Sequence, residues 1–487
     1  MSWVVLLVCC FLLLWWSRRR RDNSSEPPSY PGRLPLIGHA YLFWNPRTRF
    51  DAFKNLVKYT IEEMRCAPYI LNIGPYKIYL ISDPDDCLKI SNACPKKLYV
   101  YNYPARLLGQ GLITSDVETW KRDRKLLHPA FSFTVLNEFM TIFNNQARQL
   151  VSDIASQVGR GPFKPDDFIA KFVLKTTCHT NLHLKTDDLI SAKYKCAIDE
   201  LMDIYMERVI KFWLHEEFMY KFSQQKKREI KLTKIINDIT KDAILKRKSE
   251  LLLNIDDTKD TGGDNFGNGN KPLIDLLLQL EREQGVFTEE AVIQHLTTGI
   301  IGTYDTTYKA IINILLLIGS HKHVQERIYK ELQEVFGDLE RDVENKDLGK
   351  LVYLDAVIME TLRLYPVGPY VGRTSEAEVK LEKYTIPANS HFLFLLYALN
   401  RNPIWGPDAE EYRPERWLEP GGVPNHPNAF ASFGIGKRSC IGKRFAMMMM
   451  KTTLTHFLSR YRVAGDVSKL KVALDVTSTP VSGHEIS

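Results

Sequence analysis

Residues 288–319 hold one helical pattern, free of proline. At 1.5 Å per residue, about thirty residues make a helix of about 45 Å, the width of a whole domain. From Tyr41 onward the pattern is mostly helical, so helices are expected to dominate the chain. Thr288 stands where an N-cap belongs, and Glu289 and Glu290 follow in the first turn, where negative charge suits the helix dipole. The middle of the stretch, GIIGTYDTTYKAI, places Gly302, Asp305, Thr306 and Thr307 in apolar surroundings. Buried polar groups are costly unless used, so chemistry is expected there.

The chain has 487 residues, enough for several average domains or one large catalytic unit. With 44% hydrophobic and 25% charged residues it can bury a large core, which argues against wholesale disorder. Short runs at residues 69–82 and 382–394 alternate like strands between turn formers. The polar, glycine-rich residues 254–270 read as a mobile surface loop within one domain, because helical patterns continue on both sides. The net charge is +7, but Arg18, Arg19, Arg20 and Arg21 supply four of these charges. Nucleic-acid binding gains no support from that balance.

Those arginines follow an apolar run at residues 3–16, about 21 Å long as a helix and short of the roughly 30 Å hydrocarbon core. A cleaved signal peptide carries its charge before such a run and a small-residue cleavage site after it. Here the order is reversed, so residues 1–21 read as a retained single-pass anchor with the rest of the chain on the cytosolic side. Residues 22–40, with Pro27, Pro28, Pro31 and Pro35, read as a stiff hinge, and residues 41–487 as the catalytic domain.

The eight cysteines show no C-x-x-C spacing, which favours neither a zinc site nor a disulfide framework. One of them, Cys440, lies in FGIGKRSCIG, among three glycines and two cations and just before an apparent helix. Cations and a helix N-terminus stabilise a thiolate, and glycines let backbone pass close to a flat cofactor. A single thiolate ligand suits haem iron better than zinc, which takes three or four protein ligands.

Phe433, Gly436, Arg438, Cys440 and Gly442 fill every fixed position of F-x-x-G-x-R-x-C-x-G, and the loop resembles the haem-ligand loop of cytochromes P450. The resemblance implies the P450 fold, mainly α with small β-sheets, as a single haem-thiolate domain behind the anchor. It implies haem b with Cys440 as axial ligand. Other motifs agree in order and spacing. METLRLYP supplies Glu360 and Arg363, and YRPERW supplies Arg416, which in the family form a buried ionic cluster. Trp120 and Arg124 match W-x-x-x-R, and with Arg373 and Arg438 resemble the family's haem-propionate partners. The long helix matches [AG]-G-x-[DE]-T-[TS], where Asp305 and Thr306 would guide protons toward dioxygen; Thr303 replaces the second glycine.

LLGQGLITSDVETWKRDRKLLHPAFSF resembles the family 4 branch, which includes fatty-acid ω-hydroxylases and insect enzymes, and the likeness spans residues 31–483. Many members of that branch carry a glutamate, ester-linked to haem, where this chain has Gly302, so no covalent link is expected. The implied reaction inserts one oxygen atom from O2 into a lipophilic substrate (fatty acid-like, hormone or xenobiotic) at the endoplasmic reticulum membrane. No flavin or nicotinamide fingerprint occurs, so electrons would come from NADPH-cytochrome P450 reductase, with cytochrome b5 as an optional second partner. Lys437, Lys443 and Arg444 would offer that partner a positive face. Three other classes stay open: a P450-fold isomerase or dehydratase, a non-catalytic haem-binding protein, and a scaffold without haem.

Overall fold

The computed structural model describes residues 3, 11, 26–183, 192–257, 271–282, 285–337 and 340–487. Apart from Trp3 and Phe11, the apolar run and the four arginines lie outside the described residues, as does most of the loop expected at 254–270. Among the described residues no helix is long and apolar enough to cross a membrane.

The strands are β1 (Tyr69–Ile73), β2 (Tyr76–Ile81), β3 (Val371–Thr374), β4 (Val379–Lys380), β5 (Thr385–Ile386), β6 (His391–Phe394), β7 (Lys471–Leu474) and β8 (Ser478–Ser482). The principal helices are α1 (Arg49–Glu62), α2 (Pro84–Ala93), α3 (Val117–Leu127), α4 (Met140–Ile154), α5 (Asp166–Asn181) and α6 (Ala192–Ile210). They continue with α7 (Gln224–Asp257), α8 (Leu273–Arg282), α9 (Glu289–Ser320), α10 (Lys322–Phe336), α11 (Val352–Leu364) and α12 (Lys443–Arg460).

The long helix α9 starts where its cap requires, the Thr288 side chain accepting from the Ala291 amide at 3.2 Å. It packs against α5, α8 and α11 and is buried from Val292 to Gly319 except where its middle meets open space. A large hydrophobic core gathers around it, from Leu107 and Phe143 to Leu454 and Ile486.

The sheet stands beside this helical body in the order β1-β2-β6-β3. β1 and β2 form the hairpin expected at 69–82, turning through Gly74 at φ 56°. β2 then takes β6 as a parallel neighbour, with Ile78 opposite His391, which joins distant parts of the chain. Residues from Pro28 onward lie along β1: the Tyr30 amide donates to Ile70 O and the Ile70 amide to Pro28 O, both at 2.8 Å. His39, kept neutral by burial, completes that seam, its Nε2 donating to Tyr30 O at 2.9 Å and its Nδ1 accepting from the Asn72 amide at 3.0 Å.

A buried histidine links α12 to α4. His456 Nε2 lies 2.7 Å from Asn144 Oδ1, and burial, with Arg148 nearby, lowers its pKa from 6.5 to about 4. Between those values the unfolded chain binds a proton that the folded one resists, so stability falls as pH drops from about 6.5 to about 4. The contribution is about 3 kcal/mol at 1.36 kcal/mol per unit. Urea titrations across that window should show the loss in the wild type and a flatter dependence in His456→Gln.

Candidate active site

The loop before α12 is held by its backbone. Gly434 and Gly436 adopt φ of 80° and 66°, and a Cβ at Gly436 would lie 2.7 Å from Ser91 Oγ of α2. The Cys440 amide donates to Phe433 O at 2.8 Å, and Gly442 serves as N-cap of α12. Cys440 keeps accessible surface although protein surrounds it almost completely, as expected of a side chain lining interior space. Burial pushes its thiol upward, against the Gly442 amide, Arg124 and Lys443, which favour the thiolate. From sequence the cations should prevail; in the folded chain desolvation outweighs them, and a bound metal would supply the missing positive charge.

Cations gather around this loop. Arg124 of α3 donates from Nη1 to Ser439 O at 3.1 Å. Arg438 stacks over the Trp120 ring at 4.2 Å and donates to Pro95 O and Ser115 O, leaving Nη1 buried without a partner. Arg373 of β3 donates to Gly372 O, and its Nε is likewise unpartnered. Lys97, which the motifs did not single out, bridges to Arg373 through its backbone and lies over the Tyr101 ring at 4.4 Å. Burial, then Arg373 and Arg438, drives its pKa far down. Burial and Arg373 also lower Arg438, to about 10. Among the described residues no carboxylate forms an ion pair with any of these four. Unpaired buried donors beside an accessible thiol fit a group that brings two carboxylates and a metal, as haem does.

Behind the loop lies a different cluster. Glu360 and Arg363 of α11 pair twice at 2.8 Å, and Arg416 Nε reaches Glu360 Oε1 at 2.9 Å; none of the three side chains is exposed. The Arg413 amide and Trp417 Nε1 add two further donors to the same carboxylate. Every acceptor position of Glu360 is thereby used.

In the middle of α9, Thr306 is exposed within an otherwise buried helix and donates to Gly302 O at 2.8 Å. Asp305 is not bonded to it. Its Oδ1 accepts from Lys309 Nζ at 2.6 Å and its Oδ2 from Thr477 Oγ1 at 2.8 Å, while Lys309 also reaches Thr477 at 2.6 Å. Lys309 and Thr477 were not singled out in the sequence, although Lys309 follows Asp305 by one helical turn. A Cβ at Gly302 would meet nothing closer than Ile113 Cδ1 at 3.8 Å. Gly302, Asp305 and Thr306 line a cavity of about 300 Å³ whose other walls include Phe53, Leu71, Val100, Met206 and Val476.

An accessible cysteine in a glycine loop, a buried cation set and a central helix with an apolar cavity define a haem-thiolate oxygenase site. The cytochrome P450 family model matches residues 28–479. Cytochrome P450 4V2 of Mus musculus is 32% identical over 94% of this chain and 88% of its own length. Cytochrome P450 4c21 of Blattella germanica is 30% identical over 79% and 78%, and cytochrome P450 4d2 of Drosophila melanogaster 31% over 73% and 72%. The chain belongs to the cytochrome P450 family, within family 4, and is a haem-thiolate monooxygenase that uses O2, a redox partner and a lipophilic substrate.

Proposed function

We propose that the chain binds haem b through Cys440 without an ester link at position 302, and oxygenates a fatty acid-like, hormone or xenobiotic molecule. Trp120, Arg124, Arg373 and Arg438, joined by Lys97, hold the propionates, and Phe433 and Gly442 shape the ligand loop. The observation that carries this reading is the pair of buried, unpartnered guanidinium nitrogens, Arg373 Nε and Arg438 Nη1, beside the accessible Cys440. Bound haem supplies dioxygen activation, its thiolate pushing electron density toward O–O cleavage.

Protein groups then manage protons. Thr306 spends its own proton on Gly302 O, so its oxygen is free to accept from water. Asp305 must leave the Lys309–Thr477 grip to pass a proton on. Burial raises the acids of Asp199 and Asp475, with Asp305 adding to both shifts. Electrons come from NADPH through cytochrome P450 reductase, with cytochrome b5 as an optional donor, docking where Lys437, Lys443 and Arg444 are exposed. Residues 1–21 anchor the chain in the endoplasmic reticulum membrane, residues 22–40 are the hinge, and residues 41–487 form the catalytic domain on the cytosolic face.

The test is reconstitution of the holoenzyme with reductase, NADPH and ¹⁸O-labelled dioxygen, which should place one labelled atom in the product. Asp305→Asn should lower product formation by about 10²-fold, the typical value of a positioned proton donor, and Thr306→Ala should divert NADPH electrons away from product. Both variants should keep the wild-type carbon monoxide spectrum. Normal coupling in Thr306→Ala would remove that residue from the proton path.

A further inference from the structure

The lining of the cavity is almost wholly apolar. It runs from Phe53 and Leu56 of α1, through Leu71 and Leu80 of the sheet, to Gly302 and Thr306 of α9. Among the described residues no lysine, arginine or histidine lines it. Its one carboxylate, Asp305, is already held by Lys309 and Thr477. Three of the four tyrosine hydroxyls are engaged, Tyr99 with His215 Nδ1 at 3.2 Å, Tyr101 accepting from the Gly372 amide at 3.5 Å and Tyr370 donating to Asp475 O at 2.9 Å, while the Tyr205 hydroxyl is buried without a partner among the described residues and carries no charge.

Near the α1 end of the cavity the guanidinium is Arg49, and it is committed elsewhere. Its Nε donates to Phe43 O at 2.8 Å, and its Nη1 lies 3.9 Å from Asp475. Asp475, Glu207 and Asp203 all act on it electrostatically, so one cation faces three carboxylates. Lys309 also acts on Asp475 and Asp203, but its ammonium is bound to Asp305 and Thr477. A fatty-acid carboxylate entering this lining would shed its water and meet no free positive charge, while the acids around Arg49 would repel it. A neutral molecule gains the same apolar burial without that penalty.

We propose that the substrate of this cavity is a neutral lipid, a hydrocarbon chain ending in an alcohol, an ester or no polar group, rather than an ionised fatty acid. This rests on the monooxygenase reading above and narrows its substrate class. The departure from a carboxylate substrate follows from the chain's own lining, which pairs every charge it carries.

The experiment titrates full-length holoenzyme at pH 8 with dodecanoic acid, methyl dodecanoate and dodecanol, below their micelle concentrations. Binding is read by the spin-state shift of the Soret band and by calorimetry. The ester and the alcohol are expected to bind at least tenfold more tightly than the acid. Val476→Arg adds a cation at an exposed lining position and should raise the ratio of acid to ester affinity at least tenfold. Equal or tighter binding of the acid by the wild type overturns the proposal, and so does failure of both neutral probes to bind. Loss of the monooxygenase reading is distinguishable, because it would show as a missing red-shifted carbon monoxide band before any probe is added.

Discussion

Cys440→Ala is expected to abolish the strongly red-shifted Soret band of the reduced carbon monoxide complex, completely rather than by degree. The shift reports a thiolate on the iron, and the loop offers no substitute: the other described cysteines are Cys66, Cys87, Cys94, Cys178 and Cys196, none of them in the loop. The variant should still fold, because the Cys440 side chain faces interior space and the loop is closed by the Cys440 amide and Phe433 O, which alanine preserves. Circular dichroism and a urea midpoint close to wild type would separate loss of the ligand from loss of the fold. Any haem that the variant retains is expected to give a shorter-wavelength band. A wild-type band in Cys440→Ala would remove Cys440 as the ligand.

What the sequence made legible depended on how local each constraint is. The extent of α9 could be read because its cap and apolar run are contiguous, and the structure starts it within a residue of the expected position. Cys440 and the Glu360–Arg363 pair were visible for the same reason, lying in short motifs with fixed spacing. Lys97 gave no such signal. It reaches the cation set only because β3 pairs beside its loop. Thr477 is similar, being 172 residues from the Asp305 carboxylate it caps. Strand β3 has four residues and the β7–β8 hairpin is irregular near Lys471, so neither offers enough alternation to be read. The sequence pointed to Asp305 and Thr306 as a pair; packing against the β7–β8 turn instead set the aspartate toward Lys309 and Thr477, a choice that only the tertiary contact makes.

Glu360→Gln is expected to cost about 3–5 kcal/mol of stability, the range for breaking a buried ion pair by removing one partner. The two guanidiniums of Arg363 and Arg416 would remain without exposure and lose the carboxylate they share. The new amide would present a donor where Arg363 and Arg416 already donate, so shape is kept while the acceptor set is not. Against a typical total of about 5–15 kcal/mol, this is enough to leave much of the chain unfolded at 37 °C. Urea midpoints and protease resistance measure it. Arg413→Ala is the matched control, since Arg413 bonds Asp408 and Glu419 from a side chain 35% exposed and should cost about 0–1 kcal/mol. Equal costs for the two variants would deny the buried cluster its special role. The pH dependence gives a second check with its own sign. Burial works to raise the Glu360 acid, but the donors of Arg363 and Arg416 and the Arg413 amide prevail and hold it below its ordinary 4.5. Its contribution is therefore full above about pH 4.5 and is lost as pH falls below that, because the unfolded chain takes up a proton that the folded one resists. Glu360→Gln should lack that part of the acid transition, so the stability gap between it and the wild type should narrow as the solution is acidified.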